Sequence, residues 1–300
     1  MKVLVTGSSG FVGSGIVKEL LQANHEVHCL VRKDSVHKIR NLHHSHPNLI
    51  IHTGDLFNST SLETASQDCE AVIHLVGIIR EQPGKNVTFE RIHVVGTKQV
   101  IQAAQKNQVG HFIFMSALGT RPEATSGYHR TKYLAEQAVI SSGIPYTIFR
   151  PSVIFGPGDE FVNMLADLIK MPITPVIGDG KYMLQPVSRK TVAEAFTQSL
   201  TNEKAINQIY EVGGPTQLTY MQILRDIGTA VEKKKVRSVH VPLALIKPVV
   251  TMMQGFTFFP ITQTQLTMLQ EGNYCEHAEK LYNDFDLTPI QFLPGISEYL

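Results

Sequence analysis

Cysteine is scarce in this 300-residue sequence, and the three present, Cys29, Cys69 and Cys275, are odd in number and widely scattered. That spacing supplies neither a metal-ligand pattern nor a disulfide framework, so the thiols are expected to stay reduced in a cytosol-like compartment. Charge of one sign is also missing. With 27 basic and 26 acidic side chains the net charge is +1, which argues against a nucleic-acid-binding surface. The 43% hydrophobic content argues against a disordered chain. There is no internal repeat and no low-complexity linker. Nor is any long apolar run uninterrupted: Val241 to Pro260 contains Lys247 and is cut by Pro242 and Pro248, against a spanning helix. Membrane or protein-partner contact through 241–260 stays open, with ordinary packing in the second half of the chain the favoured reading. Strand-like residues begin at the second position, so no signal or transit peptide is expected and the chain is placed in the cytoplasm.

What is present begins with Val3 to Thr6, an apolar run that meets Gly7, Gly10 and Gly13 and then passes into Ile16, Val17, Leu20 and Leu21 at helical spacing. This is the pattern of a strand, a tight turn and a helix N-terminus. Such a turn lets backbone approach a pyrophosphate, and the helix end offers unpaired N–H groups and positive dipole to it. Gly7, Ser9, Gly10, Phe11, Val12 and Gly13 are therefore candidate cofactor contacts. The wording Thr-Gly-x-x-Gly-Phe-Val-Gly resembles the short-chain dehydrogenase/reductase superfamily, in its extended and atypical branches.

Strand-like and helix-like patterns alternate through the first half, with strands expected at Lys2 to Thr6, Glu26 to Val31, Leu49 to Thr53, Ala71 to Leu75, His111 to Ser116 and Tyr146 to Arg150. The expected fold class is α/β: a doubly wound parallel (Rossmann) sheet over residues 1–155, with a smaller α+β substrate-covering portion over 156–300, packed as one compact unit. Ligands of such sheets bind at the carboxyl ends of the strands. After the second strand stand Arg32 and Lys33, where an acid would select the ribose hydroxyl of NAD. Two cations suit a 2′-phosphate, so NADP(H) is favoured; Asp34 keeps NAD(H) open. Asn41 to Pro47 holds three histidines without a carboxylate or cysteine partner, and no metal site is expected.

The resemblance implies further contacts. It places Asp55 beside the adenine amino group with Leu56 against the ring, although Asp55 also reads as a turn residue before the next helix. It puts Leu75, Val76 and Gly77 behind the nicotinamide ribose, and makes Pro151 and Val153 candidate cofactor contacts as well. A long helix is expected from about Asn86 to Gln105, with His93 where the family usually has asparagine, either as a relay or as a space filler.

The fifth strand ends in Ser116, and twelve positions later comes Tyr128-His-Arg-Thr-Lys132. Tyr-x-x-x-Lys is the superfamily's catalytic pair. Residues four apart share a helical face, so the Lys132 ammonium can tune the Tyr128 phenol, which serves as acid or base. Ser116 is a candidate donor, although the family often carries its hydroxyl one position later, where Ala117 stands. Val153 replaces the asparagine with which sugar-nucleotide enzymes hold a diphosphate, which weakens that reading. Downstream, Thr191 and Thr219 are expected helix caps.

Met-Ser-Ala-Leu-Gly at 115–119 and Arg-Pro-Ser-Val-Ile-Phe-Gly-Pro-Gly-Asp at 150–159 are similar to an atypical subgroup related to the nucleotide-binding accessory subunit of respiratory complex I, and to epimerase/dehydratase-like proteins. Two functions follow from the resemblance. One is an NADP(H)-dependent oxidoreductase or epimerase-like enzyme acting on an unidentified small molecule through Tyr128, Lys132 and Ser116. The other is a non-catalytic NADP(H)-binding protein with a structural role. Retention of the Tyr and Lys pair favours the enzyme.

Overall fold

Val3, Leu4 and Val5 are fully buried, so the first strand is apolar on both faces and sits inside a sheet covered on both sides. The computed structural model describes residues 1–43, 46–232, 236–253 and 261–300. Six parallel strands run β1 (Lys2–Thr6), β2 (Glu26–Val31), β3 (Leu49–Thr53), β4 (Ala71–His74), β5 (His111–Met115) and β6 (Tyr146–Pro151). A seventh, β7 (Gln208–Val212), pairs in parallel with β6, giving the order β7-β6-β5-β4-β1-β2-β3. The order reverses between β1 and β4, the switch point beside which doubly wound sheets bind ligands.

Alternate side chains feed the two cores. On one face Val3, Val5, Val27, Ile73 and Phe149 pack against helix α1 (Phe11–Gln22) and against segments from far downstream. On the other, Leu4, Val72, Phe112, Phe114 and Ile148 meet three later helices. In chain order the helices are α2 (Val36–His43), α3 (Ser59–Ser66), α4 (Gly96–Lys106), α5 (Gly127–Ile140), α6 (Glu160–Lys170), α7 (Arg189–Gln198), α8 (Tyr220–Ala230), α9 (Leu243–Met253), α10 (Gln263–Glu271), α11 (Ala278–Phe285) and α12 (Phe292–Ser297). Helices α3, α4 and α5 form that second layer. Phe196 of α7, Tyr210 of β7 and Phe285 of α11 stack around Phe149, so segments beyond residue 155 complete the sheet and its first layer. A third cluster, from α6, α8 and α12, makes the smaller C-terminal layer.

Two local expectations are corrected. The helix expected from Asn86 begins only at a π-helical turn, Glu90–Val95, because Asn86 takes a left-handed φ of 57° and ends the short turn Pro83–Lys85. Thr191 does not cap α7: Ser188 does, accepting from the Thr191 N–H at 3.0 Å. Thr219 caps α8 with a reciprocal bond from Gln222, as expected. Of the histidine trio, His44 and the side chain of His43 lie outside the described residues, as do 254–260 of the apolar stretch.

Helix α5 is fixed to β6 by Arg150, whose Nε and Nη2 donate to the two oxygens of fully buried Glu136 at 2.8 and 2.6 Å. Removing one partner of a buried pair strands the other. Glu136→Ala is expected to cost about 3 kcal/mol, the low end for such pairs because Arg150 still reaches solvent. Urea unfolding of the variant beside Arg150→Met and the double variant checks this: a coupling energy near zero would contradict it.

Candidate dinucleotide and active site

The strand ends bring the candidate residues along one edge of the sheet. Gly7 has φ of 79°, and a Cβ there would sit 3.2 Å from Leu75 and from the Val76 nitrogen. A Cβ on Gly13 would collide with the Gly7 carbonyl and lie 2.8 Å from the Ser8 Cα. The turn is thus packed directly on the segment after β4, and only glycine fits at these two positions. Gly10 opens α1 with no side-chain cap, unlike α3, α5, α6, α7 and α8, each capped by a side chain. From α7, the Arg189 guanidinium lies 5.0 Å from the centre of the Phe11 ring and donates to the Pro157 carbonyl at 3.2 Å, bracing the turn from outside.

Arg32 and Asp34 follow β2 as exposed side chains, with Arg32 Nε 3.7 Å from the Asp34 carboxylate. Lys33 starts the short turn beside them. Asp55 accepts from the Phe57 N–H at 2.8 Å, and Asn58, not Asp55, caps α3. Leu56 reaches over Gly96 at the start of α4. Across the edge, the Leu118 N–H donates to the Pro151 carbonyl at 3.0 Å, while Val153 packs into the C-terminal cluster.

Ser126 caps α5, placing Tyr128 and Lys132 on its first turns facing β5. The Lys132 ammonium is only 2% exposed; it donates to the Met115 carbonyl at 2.9 Å and lies 5.0 Å from the centre of the Phe114 ring. A Cβ on Gly77 would be 3.1 Å from Lys132 Nζ. Burial pulls this ammonium down to about 8, against the raising effect of Glu136 one turn on. Tyr128 is 9% exposed and packs with Phe89 and Ala117, with Ile78 and Met268 of α10 against them. Burial pushes its phenol up to about 12, overriding the lowering expected from Lys132. Ala117, which has no hydroxyl, is the neighbour of Tyr128 here, whereas the Ser116 hydroxyl sits 3.3 Å from that of Thr120.

His93 lies in the π-helical turn and is fully buried. Thr131 spends its hydroxyl proton on the Gly127 or Tyr128 carbonyl, so His93 Nδ1–H donates to Thr131 at 2.9 Å and Nε2 accepts the Ile78 N–H at 3.1 Å. It ties α5 to the segment after β4, a role richer than filling space. A second chain runs from Thr6 to His74 at 2.6 Å, from His74 to Thr97 at 3.1 Å and from Thr97 to the His93 carbonyl at 2.5 Å. Burial, then the Lys132 charge, lowers His74 to about 3 and His93 to about 2, so both are neutral.

Sequence reasoning missed His129, Arg121 and Glu271. The His129 ring is 2% exposed, with Nδ1 3.8 Å from a Glu271 oxygen, and Glu271 pairs with Arg121 at 3.2 Å. This holds the end of α10 over the loop after β5 and beside Tyr128. About 140 residues separate His129 from Glu271, and no local pattern announces the contact.

The depressed Lys132 value makes a stability prediction. A lysine with a folded value near 8 and an ordinary value of 10.5 binds fewer protons folded than unfolded between those limits, so its cost to folding is full below pH 8 and fades toward pH 10.5. Lys132→Met is expected to unfold at higher urea at pH 7, by about 1–3 kcal/mol after the loss of one bond to Met115. That advantage should vanish by about pH 10.5; a variant less stable than wild type throughout would contradict it.

Residues 3–213 match the sequence model of the NAD dependent epimerase/dehydratase family. The chain is 28% identical over 247 residues to the mitochondrial 40 kDa subunit of NADH-ubiquinone oxidoreductase from Neurospora crassa, covering 82% of this chain and 64% of that one. It is 31% identical over 177 residues to ceramide reductase from Caulobacter vibrioides, covering 58% and 53% respectively. The chain thus spans 64% and 53% of the length of these two curated relatives. An NADPH-dependent quinone oxidoreductase from Escherichia coli, solved with NADPH, shares the fold at a TM-score of 0.79 over 99% of both chains, with 15% identity. The family match runs from β1 to the residue after β7 and takes in the glycine turn, the Tyr128 and Lys132 pair and every strand of the main sheet; the chain belongs to the NAD dependent epimerase/dehydratase family.

Proposed function

We propose that the chain is an NADP(H)-dependent oxidoreductase that reduces the carbonyl group of a small, uncharged substrate, with Tyr128 as the proton donor. The observation that carries this reading is the Tyr128 phenol itself. It sits one turn from Lys132, is walled by Ile78, Phe89, Ala117 and Met268, and is held protonated by burial. A neutral phenol gives a proton and does not take one, which suits the direction from carbonyl to alcohol. An apolar wall suits a substrate without charge.

The residues fit a dinucleotide. The N-terminus of α1 has no side chain of its own to accept from its first backbone N–H groups. Gly7, Ser9, Gly10, Phe11, Val12 and Gly13 would hold the diphosphate, Arg32 and Lys33 the 2′-phosphate, Asp55 and Leu56 the adenine, and Leu75, Val76, Gly77, Pro151 and Val153 the nicotinamide end. When bound, the reduced cofactor supplies the hydride. Tyr128 then delivers its proton to the substrate oxygen, and the Lys132 ammonium stabilises the phenolate left behind. His93 and His74, both neutral, do not compete with that charge.

A second reading has a specific observation in its favour. Ala117 brings no hydroxyl to Tyr128 and Ser116 is turned to Thr120, which suits a chain that binds cofactor without turnover, in line with its similarity to a complex I subunit.

Following NADPH oxidation with a panel of apolar aldehydes, ketones and quinones separates the two. Turnover by wild type, lowered about 100-fold or more in Tyr128→Phe with NADPH affinity kept, is the expected result. Ser116→Ala is expected to cost no more than about tenfold. Tight NADPH binding without turnover on any compound would favour the second reading.

A further inference from the structure

Helix α9 is apolar on both sides. Its inner face packs through Val250, which is 1% exposed, with Leu243, Ile246 and Met253 half-buried. Its outer face presents Ala244, Leu245, Pro248, Val249 and Met252, a continuous stripe at helical spacing. Leu245 is 64% exposed, Val249 47% and Met252 73%. Only Lys247 and Thr251 interrupt it with polar groups. A surface helix of a water-soluble layer carries charge on this side, as α4 does with Lys98 and Lys106 and α6 with Glu160, Asp167 and Lys170. Helix α9 thus has a bare apolar face and no described segment to cover it.

The stretch of sequence that contains it carries charge of one sign. From residue 233 to residue 270 the sequence contains no aspartate or glutamate, and it contains Lys233, Lys234, Lys235, Arg237 and Lys247. Among the described residues, neither Arg237 nor Lys247 forms an ion pair with an acid. Val239, on the strand that leads into α9, is 49% exposed as well.

We propose that α9 is a membrane-surface helix that docks this protein on an anionic lipid bilayer, its outer stripe set among the acyl chains and the Lys247 side chain, with Arg237 upstream, on the headgroups. Apolar burial and cation attraction together are what a reversible interfacial anchor needs. The helix lies on the surface and does not cross it. At about 1.5 Å per residue its 11 residues reach roughly 16 Å, about half a bilayer core. Pro248 also removes the helical donor to the Ala244 carbonyl, which calls for the hydrated interface. Lys247 extends beside the stripe, its stem on the apolar surface and its ammonium toward phosphate. Helix α9 packs on α10, and α10 carries Met268 to Tyr128, so the docked face and the apolar pocket share one helix. The proposal stands independently of whether Tyr128 turns over a substrate.

The test is flotation of the purified full chain with vesicles of phosphatidylcholine alone and of phosphatidylcholine with phosphatidylglycerol. Wild type is expected to float with the anionic vesicles, less so as salt is raised. Leu245→Glu with Val249→Glu, and separately Lys247→Glu, are expected to lower the bound fraction about tenfold and about threefold. Both variants should keep the wild-type urea midpoint and NADPH binding, because these side chains face outward. A milder pair, Leu245→Ser with Val249→Ser, keeps the test valid should the charged pair disturb folding. Wild type that stays unbound with anionic vesicles overturns the proposal, as does binding unaffected by these variants. Light scattering showing a dimer that the Leu245 and Val249 variants split, without vesicle binding, would overturn it in favour of a second copy of this chain.

Discussion

A single buried cation sets the terms for the site. The Lys132 ammonium lies between the Met115 carbonyl and the Phe114 ring, with almost no contact with water. A charge in that position is tolerable only if its surroundings answer it. Glu136 supplies opposite charge one turn along α5, and Arg150 in turn holds Glu136. The two histidines nearby stay neutral and spend their nitrogens on Thr6, Thr97, Thr131 and Ile78. Burial of this ammonium costs stability, the trade expected if Lys132 has the role proposed for it.

Close packing of backbone on backbone does the rest. Gly7 against Leu75 and Val76, Gly13 against Gly7, and Gly77 against Lys132 draw the ends of β1, β4 and β5 into one line. The glycine turn at the start of α1 and the lysine at the start of α5 are thereby joined through the segment Leu75 to Gly77. The C-terminal layer closes over this line through α10, where Glu271 engages Arg121 and approaches His129. The layer reaches further outward through α9, whose bare apolar face lies in a stretch of sequence without acids and gives the protein a second surface of distinct chemistry.

Much of this was legible in the sequence, and for identifiable reasons. Apolar runs bounded by glycine and polar turns gave the six strands to within a residue at either end, because a doubly covered strand is apolar on both faces. The glycine turn and the Tyr128 and Lys132 spacing are local patterns with local geometry. The seventh strand, Gln208–Val212, is not among the six expected, since its place in the sheet is set by pairing with β6, a contact across some 60 residues. The turn of Ser116 toward Thr120, the fit of Ala117 on Tyr128 and the clamp of Glu271 depend on side-chain direction and on long-range packing. Capping of α7 by Ser188 in place of Thr191 is a shift of three residues between two equally suitable caps. The rise of the Tyr128 phenol reflects a degree of burial that one-dimensional spacing does not carry.

The central claim is that the glycine turn and the cations after β2 bind a phosphorylated dinucleotide. Fluorescence titration of the purified chain with NADPH and with NADH at matched ionic strength tests it most directly. The account predicts saturable binding of one NADPH per chain, tighter than NADH by at least about tenfold, as expected for a 2′-phosphate gripped by Arg32 and Lys33. Equal or tighter binding of NADH would contradict the role given to those cations and move it to Asp34, and no binding of either would contradict the account as a whole.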